Sequence, residues 1–330
     1  MKHLIFCLTL CLSLASISSC KKNDNPVGSN SSTSWNNVLQ GTSVSSVCLS
    51  GNNIIAGTRG GVIFLSTDNG LSWKGVDTLH SVGSIKGANF VLIPNVTVYN
   101  NGINLFAGAG NVLEGSVDVS MNNGLSWTKR DTSFVQVVNC FASIGETVFA
   151  GTNNGVYIST NSGISWNASN AGLSFSNYDS IYGHAPQVMR ILAQGTALFA
   201  GTTGEGIFRS ENSGASWIEV DNGLTNLDIY GLASIGPYLF AGAFQDSTGG
   251  VFISTNNGIT WSAANSGLRM VNIFYADGSN LLAGTNIGVF LSTNNGTTWS
   301  ILDSMLVTSF AVDRSNLLAG TANGIWHISL

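Results

Sequence analysis

Charge is what this 330-residue chain has least of. Asp, Glu, Lys and Arg make up 9% of it, against about 25% in an average soluble domain. With 12 basic residues and a net charge of -5, it cannot build a stripe that tracks nucleic-acid phosphates. Low charge together with 44% hydrophobic residues excludes a disordered chain, which needs the opposite balance. Lys, Glu, Arg and Ala do not dominate, which excludes an ordinary cytosolic helical protein. Proline occurs 4 times. Beyond residue 20 the cysteines are Cys48 and Cys140, too few for a disulfide framework. Past the amino terminus no run reaches the roughly 18 apolar residues that would span a bilayer. What is abundant is glycine, 40 residues of it, with a polar background of Asn, Ser and Thr. That mixture predicts many short strands joined by tight turns.

The amino terminus reads as a targeting segment. Lys2 and His3 precede an apolar stretch from Leu4 to Ile17, about the length of a signal-peptide core. It ends in Ile17-Ser18-Ser19-Cys20, which resembles the bacterial lipobox. The resemblance implies removal of residues 1–19 and acylation of Cys20 with chains such as palmitate. Each buried methylene of such a chain contributes about 0.8 kcal/mol of membrane affinity. Residues 20–34 then form a flexible Asn- and Ser-rich tether. Lys21 follows the cysteine where inner-membrane enteric lipoproteins carry Asp, so the expected address is the outer membrane. Lipid is the only membrane contact expected.

Two motifs recur through residues 35–330. Ser-x-x-x-Gly-x-x-Trp occurs six times, as Ser66–Trp73, Ser120–Trp127, Ser159–Trp166, Ser210–Trp217, Ser254–Trp261 and Ser292–Trp299. Ala-Gly-Thr or Ala-Gly-Ala occurs seven times, starting at Ala56, Ala107, Ala150, Ala200, Ala241, Ala283 and Ala319. Each unit reads as four short strands. In the third they are predicted at 137–143, 148–152, 156–160 and from Trp166 onward, with a tight turn at Asn153-Asn154-Gly155. The final unit has no fourth strand, while Trp35-Asn36 near the start looks like a fourth strand without a unit. Joining the two closes a ring and removes the sheet edges. The fold class expected is therefore all-β: a seven-bladed propeller of four-stranded blades, about 42 residues per blade, closed by the amino-terminal strand and monomeric.

The Ser-to-Trp motif resembles the Asp-box, or BNR repeat, of sialidases, sortilin-type receptors, photosystem-assembly-factor-like proteins and some glycanases. That resemblance implies a structural turn between the third and fourth strands of each blade, built here by Ser66, Asp68, Gly70 and Trp73 and their repeats. It also implies that the tryptophan packs between blades. Asp68 is the one aspartate at its position; the others are Asn122, Asn161, Asn212, Asn256 and Asn294. Asn can accept the same turn hydrogen bond, but it leaves no catalytic or metal role there.

Chemistry is sparsely supported. A sialidase would need an arginine triad and its Arg-Ile-Pro opening; none of Arg59, Arg130, Arg190, Arg209, Arg269 and Arg314 sits in that motif. A glycan-active hydrolase of Asp-box type remains the alternative. It would need two carboxylates about 5–10 Å apart, and Glu114, Glu205 and Asp246 share one predicted face. His80, His184 and His327 show no metal-ligand spacing, and no phosphate loop or dinucleotide fingerprint is present. No catalytic residue, metal or cofactor is assigned. The leading expectation is a binding or assembly scaffold for a protein or glycan ligand. Loop lengths locate its working face. The Ser-to-Trp spacing is always 7, whereas the interval from a tryptophan to the next Ala-Gly reaches 34 before blades two and four. Every excess falls on the face opened by the loops between second and third strands and between blades. Variable loops on a rigid scaffold are where binding residues concentrate. The patch expected there is Tyr178, Tyr182, His184, Glu205, Phe244, Gln245 and Asp246, with Arg59 and Glu114 further around the rim.

Overall fold

The computed structural model describes residues 35–79, 95–110, 115–131, 137–174, 185–244, 249–264, 267–278, 280–313 and 316–329. All regular structure in them is β: seven separate four-stranded antiparallel sheets. In six blades the strands pair in chain order. The first strands are Val44–Ser50, Thr97–Asn100, Val138–Ile144, Val188–Gln194, Ile229–Ile235 and Ile273–Asp277. In the seventh, Val307–Asp313, Asn316–Thr321 and Gly324–Ser329 are completed by Asn36–Asn37, with Asn36 opposite His327 and Asn37 opposite Trp326. The expected closure is therefore observed. Val38 N adds a bond to the Ile325 carbonyl at 2.8 Å, and Leu39 is buried in the cluster between blades seven and one. The described residues contain no helix long and apolar enough to cross a membrane.

First strands of successive blades contact one another around the whole ring, so they line the central channel. Second strands such as Leu105–Gly110 and Ala197–Thr202 are buried at every residue, because each lies between two neighbouring sheets. This accounts for their unbroken apolar runs. It also accounts for the glycine of Ala-Gly: a Cβ on Gly201 would lie 2.7 Å from Ile229 Cγ2 of the next blade, and one on Gly108 2.7 Å from the Val138 side chain. Seven hydrophobic clusters sit at the seams, each built from two adjacent blades.

The box turns of blades one to six are alike. Gly70 N donates to Ser66 Oγ (2.8 Å), and Ser72 N donates to Asp68 Oδ1 (2.9 Å). The Asn boxes repeat both bonds, as at Gly163 to Ser159 and Ser165 to Asn161. One contact reverses polarity. The Ser72 hydroxyl donates to the Asp68 carboxylate, whereas the Asn161 amide donates to the Ser165 hydroxyl. These hydrogen bonds hold the Asp68 carboxyl down to about 2, with the Ser72 hydroxyl as the main cause. The box glycine is left-handed, as expected (φ 87° at Gly70), but so is the residue before it: Asn69, Asn123, Ser162, Ser213, Asn257 and Asn295 have φ of 53–60°. Short polar side chains tolerate that conformation best, which explains the Asn and Ser there.

Each box tryptophan immediately precedes its fourth strand and packs back onto the preceding blade, and four of them anchor the indole N–H in one of two ways. Trp217 and Trp261 are buried and donate across the seam to the Ser169 and Val220 carbonyls (2.8 and 2.7 Å). Trp73 and Trp299 are half-buried and donate instead to their own turns, at Gly70 and Gly296. Cys48 and Cys140 are free thiols on the first strands of blades one and three, as the sequence implied. Burial pushes them up to about 12 and about 11.

Candidate functional site

The face opposite the box turns carries the second-to-third loops and the blade-to-blade connections. Arg59 lies exposed on this face, its backbone N bonded to the Ser43 carbonyl and the residue bridged to Asn95, where blade two begins. Glu205 is half-buried in the corresponding loop of blade four. Phe244 occupies that loop in blade five, with its ring centroid 4.8 Å from Tyr230. Tyr230 was missed in the sequence because it reads as an ordinary alternating strand residue. Of the proposed patch, Glu114, Tyr178, Tyr182, His184, Gln245 and Asp246 lie outside the described residues, as does Cys20. Glu205 and Phe244 project from adjacent blades, and Arg59 from blade one.

Carboxylates with raised affinity for protons occur elsewhere. Asp118, buried on the third strand of blade two, is pushed up to about 6 by burial and by Asp77, which lies on the fourth strand of blade one; Lys129 partly opposes this. Glu219 on the fourth strand of blade four is raised by burial and by Asp221. Both pairs include a fourth strand, the strand farthest in the sheet from the channel. Among the described residues, no three His, Cys, Asp or Glu side chains form a metal-binding group.

The channel holds a cavity of about 180 Å³ bordered by first-strand residues of six blades. Those residues include Arg190, which was counted among the sequence's arginines but given no role. Aligning the repeats would have singled it out: its positional equivalents, each opposite the Ala-Gly glycine, are Ser46, Thr97, Cys140, Gly231, Ile273 and Ser309, none of them charged.

Residues 252–263 match the family model described as BNR/Asp-box repeat. The chain carries the Asp-box repeat. No curated protein matches it in sequence. Solved structures similar to this Asp-box propeller include the extracellular domain of BT4673, a one-component system of B. thetaiotaomicron (18% identity, TM-score 0.66, covering 89% of this chain and 40% of that one). YCF48 from Cyanidioschyzon merolae is similar over 89% of this chain and 98% of its own (13% identity, TM-score 0.64), and another YCF48 structure has a D1 peptide bound. The GH74 xyloglucanase from Xanthomonas campestris is similar over 89% of this chain and 53% of its own (17% identity, TM-score 0.60). The Asp-box propeller thus spans well under half of the BT4673 ectodomain and about half of the xyloglucanase. At these identities the likeness establishes the fold.

Proposed function

We propose that this chain is a non-enzymatic binding scaffold, tethered to the bacterial envelope through acylated Cys20, that presents its long-loop face to a protein or glycan ligand. The observation that carries the reading is the contrast between the two faces: one is built from identical turns, the other from connections of unequal length. A propeller alone decides no function. A peptide-bound YCF48 and an extracellular BT4673 domain show that similar folds serve in recognition and outside the cell. The tether of residues 20–34 would let the propeller stand off the membrane, in the outer membrane by the Lys21 criterion. The test is a pull-down from native envelopes with the anchor intact, followed by a combined alanine change at Tyr178, Tyr182 and Phe244. Loss of the captured partner supports the reading; unchanged capture, with loss after changes on the box-turn face, overturns it. Cys20→Ser should release the protein from the membrane fraction.

A second reading, a glycan-active hydrolase, draws on the raised Asp118 carboxyl beside Asp77. Hydrolysis of a β-glucan by the purified chain, abolished by Asp118→Asn, would favour it.

A further inference from the structure

Five first strands open with a β-bulge at the same place, between Val44 and Ser46, Val138 and Cys140, Val188 and Arg190, Ile229 and Gly231, and Val307 and Ser309. Each bulge lies where the chain enters from a blade-to-blade connection, at the end of the channel on the long-loop face. Bulges in such positions re-aim side chains. Most of the side chains so aimed tie blades together. Ser45 and Ser46 donate to the Val96 carbonyl of blade two (2.6 and 2.9 Å), and Asn139 to Val188 of blade four (3.0 Å). Thr308 donates to Val44 of blade one (2.8 Å). Blade four departs from this belt. Its residues are Met189 and Arg190, and the guanidinium of Arg190 has one long bond, 3.4 Å, to the carbonyl of its own neighbour Met189.

Among the described residues, Arg190 is the one charged side chain bordering the cavity. A guanidinium has five donors and cannot shed its charge at physiological pH. Arg190 is half-buried, no acidic group pairs with it among the described residues, and burial holds it below its ordinary value. Ser309 lines the same space, but its buried hydroxyl lies against Gly320 rather than facing the cavity. The cavity is smaller than the roughly 300–1,000 Å³ that encloses a whole small ligand, so it suits an end group. One guanidinium balances one negative charge, and its planar fork matches a carboxylate in bidentate geometry. A dianionic phosphate would find no second cation among the described lining residues. The remaining walls include Phe141, Ile191 and Phe310, which suit an apolar residue better than a hydroxyl-rich sugar.

We propose that the channel mouth receives one carboxylate of a peptide ligand, held by the Arg190 guanidinium. This rests on the reading that the long-loop face is the receiving face. It is tested without the unknown partner, by following the Arg190 Nε–H resonance of the whole mature chain, assigned through Arg190→Lys. The probes are acetate, N-acetyl-triglycine, its carboxamide, an N-acetyl-aspartate amide and glucuronate, at matched chloride. Acetate should shift the resonance with a dissociation constant on the order of millimolar. The peptide acids should bind more tightly, and the carboxamide at least tenfold more weakly. Whichever acid is tighter separates a chain terminus from an acidic side chain. A resonance that no carboxylate moves, or that chloride moves equally, overturns the site; saturation by glucuronate alone overturns the peptide. Arg190→Met should melt no lower than the parent chain and lose any carboxylate-induced rise in melting temperature. A lower melting point with that rise retained would make Arg190 a structural residue. Failure of the rim substitutions to affect partner capture would leave the acetate titration unchanged, so the two readings fail separately.

Discussion

The two faces of the ring solve different problems with the same repeat. On the box-turn face six of the seven blades spend Ser, Asn or Asp, and two left-handed residues on one invariant turn. On the opposite face the bulges are shared, but the side chains they aim differ, from Ser45 and Asn139 to Arg190 and Tyr230. Uniformity marks the face whose turns are closed by their own serine and their own Asn or Asp. Variation marks the face whose contacts reach across seams or into the channel, where a side chain can be exchanged without loss of the turn.

That contrast can be broken most severely at its seam. Removing residues 35–40 unpairs the closing strand and exposes the cluster around Leu39, so the melting temperature should fall by about 10 °C or more in a calorimetric scan. Next in size is Gly223→Ala. Gly223 has φ +96°, and an added Cβ would fall on the Trp261 carbonyl oxygen of the neighbouring blade. The expected loss is about 2–4 kcal/mol by denaturant unfolding, whereas Gly236→Ala, with nothing within 4 Å of its Cβ, should cost less. Trp217→Phe strands the buried Ser169 carbonyl and should cost about 1–3 kcal/mol; Trp73→Phe, whose donor serves its own turn, should cost less.

Asp118 offers a pH test. Its folded affinity for protons is raised, so it favours the fold below the unfolded carboxyl range near 4, and that contribution is lost as pH rises through about 6. Asp118→Asn should therefore stabilise the chain by about 1–2 kcal/mol at pH 8, solvent screening included, and have little effect below pH 4. Smallest of all is Asp68→Asn, which converts that box to the form of the other five. Its carboxyl is depressed, so its contribution is present above the unfolded range and fades as pH falls toward about 2. The variant should melt within about 1 °C of the parent at pH 7.

Blade count and closure were legible because two motifs recur in phase and the last unit lacks the strand that Trp35 supplies. The mixed behaviour of the tryptophans was not, since it depends on whether the preceding blade offers a carbonyl such as Ser169 or Val220. Arg190 was hidden for a sharper reason. A strand is read with a period of two, and one bulged residue shifts that phase. In Val188-Met189-Arg190-Ile191 the alternation assigns the arginine to a sheet face, yet Arg190 borders the channel cavity. Of the rim, Arg59, Glu205 and Phe244 were placed on the expected face by loop position alone.

The box turn also bears on chemical ageing. Four of the six turns contain Asn-Gly, at Asn69-Gly70, Asn123-Gly124, Asn257-Gly258 and Asn295-Gly296, a pairing prone to deamidation because the small glycine lets its nitrogen attack the asparagine side chain. In the folded turn that nitrogen donates to the box serine at 2.8–2.9 Å. The serine that shapes the blade therefore occupies the atom through which succinimide would form, and the propeller should lose these amides chiefly after unfolding.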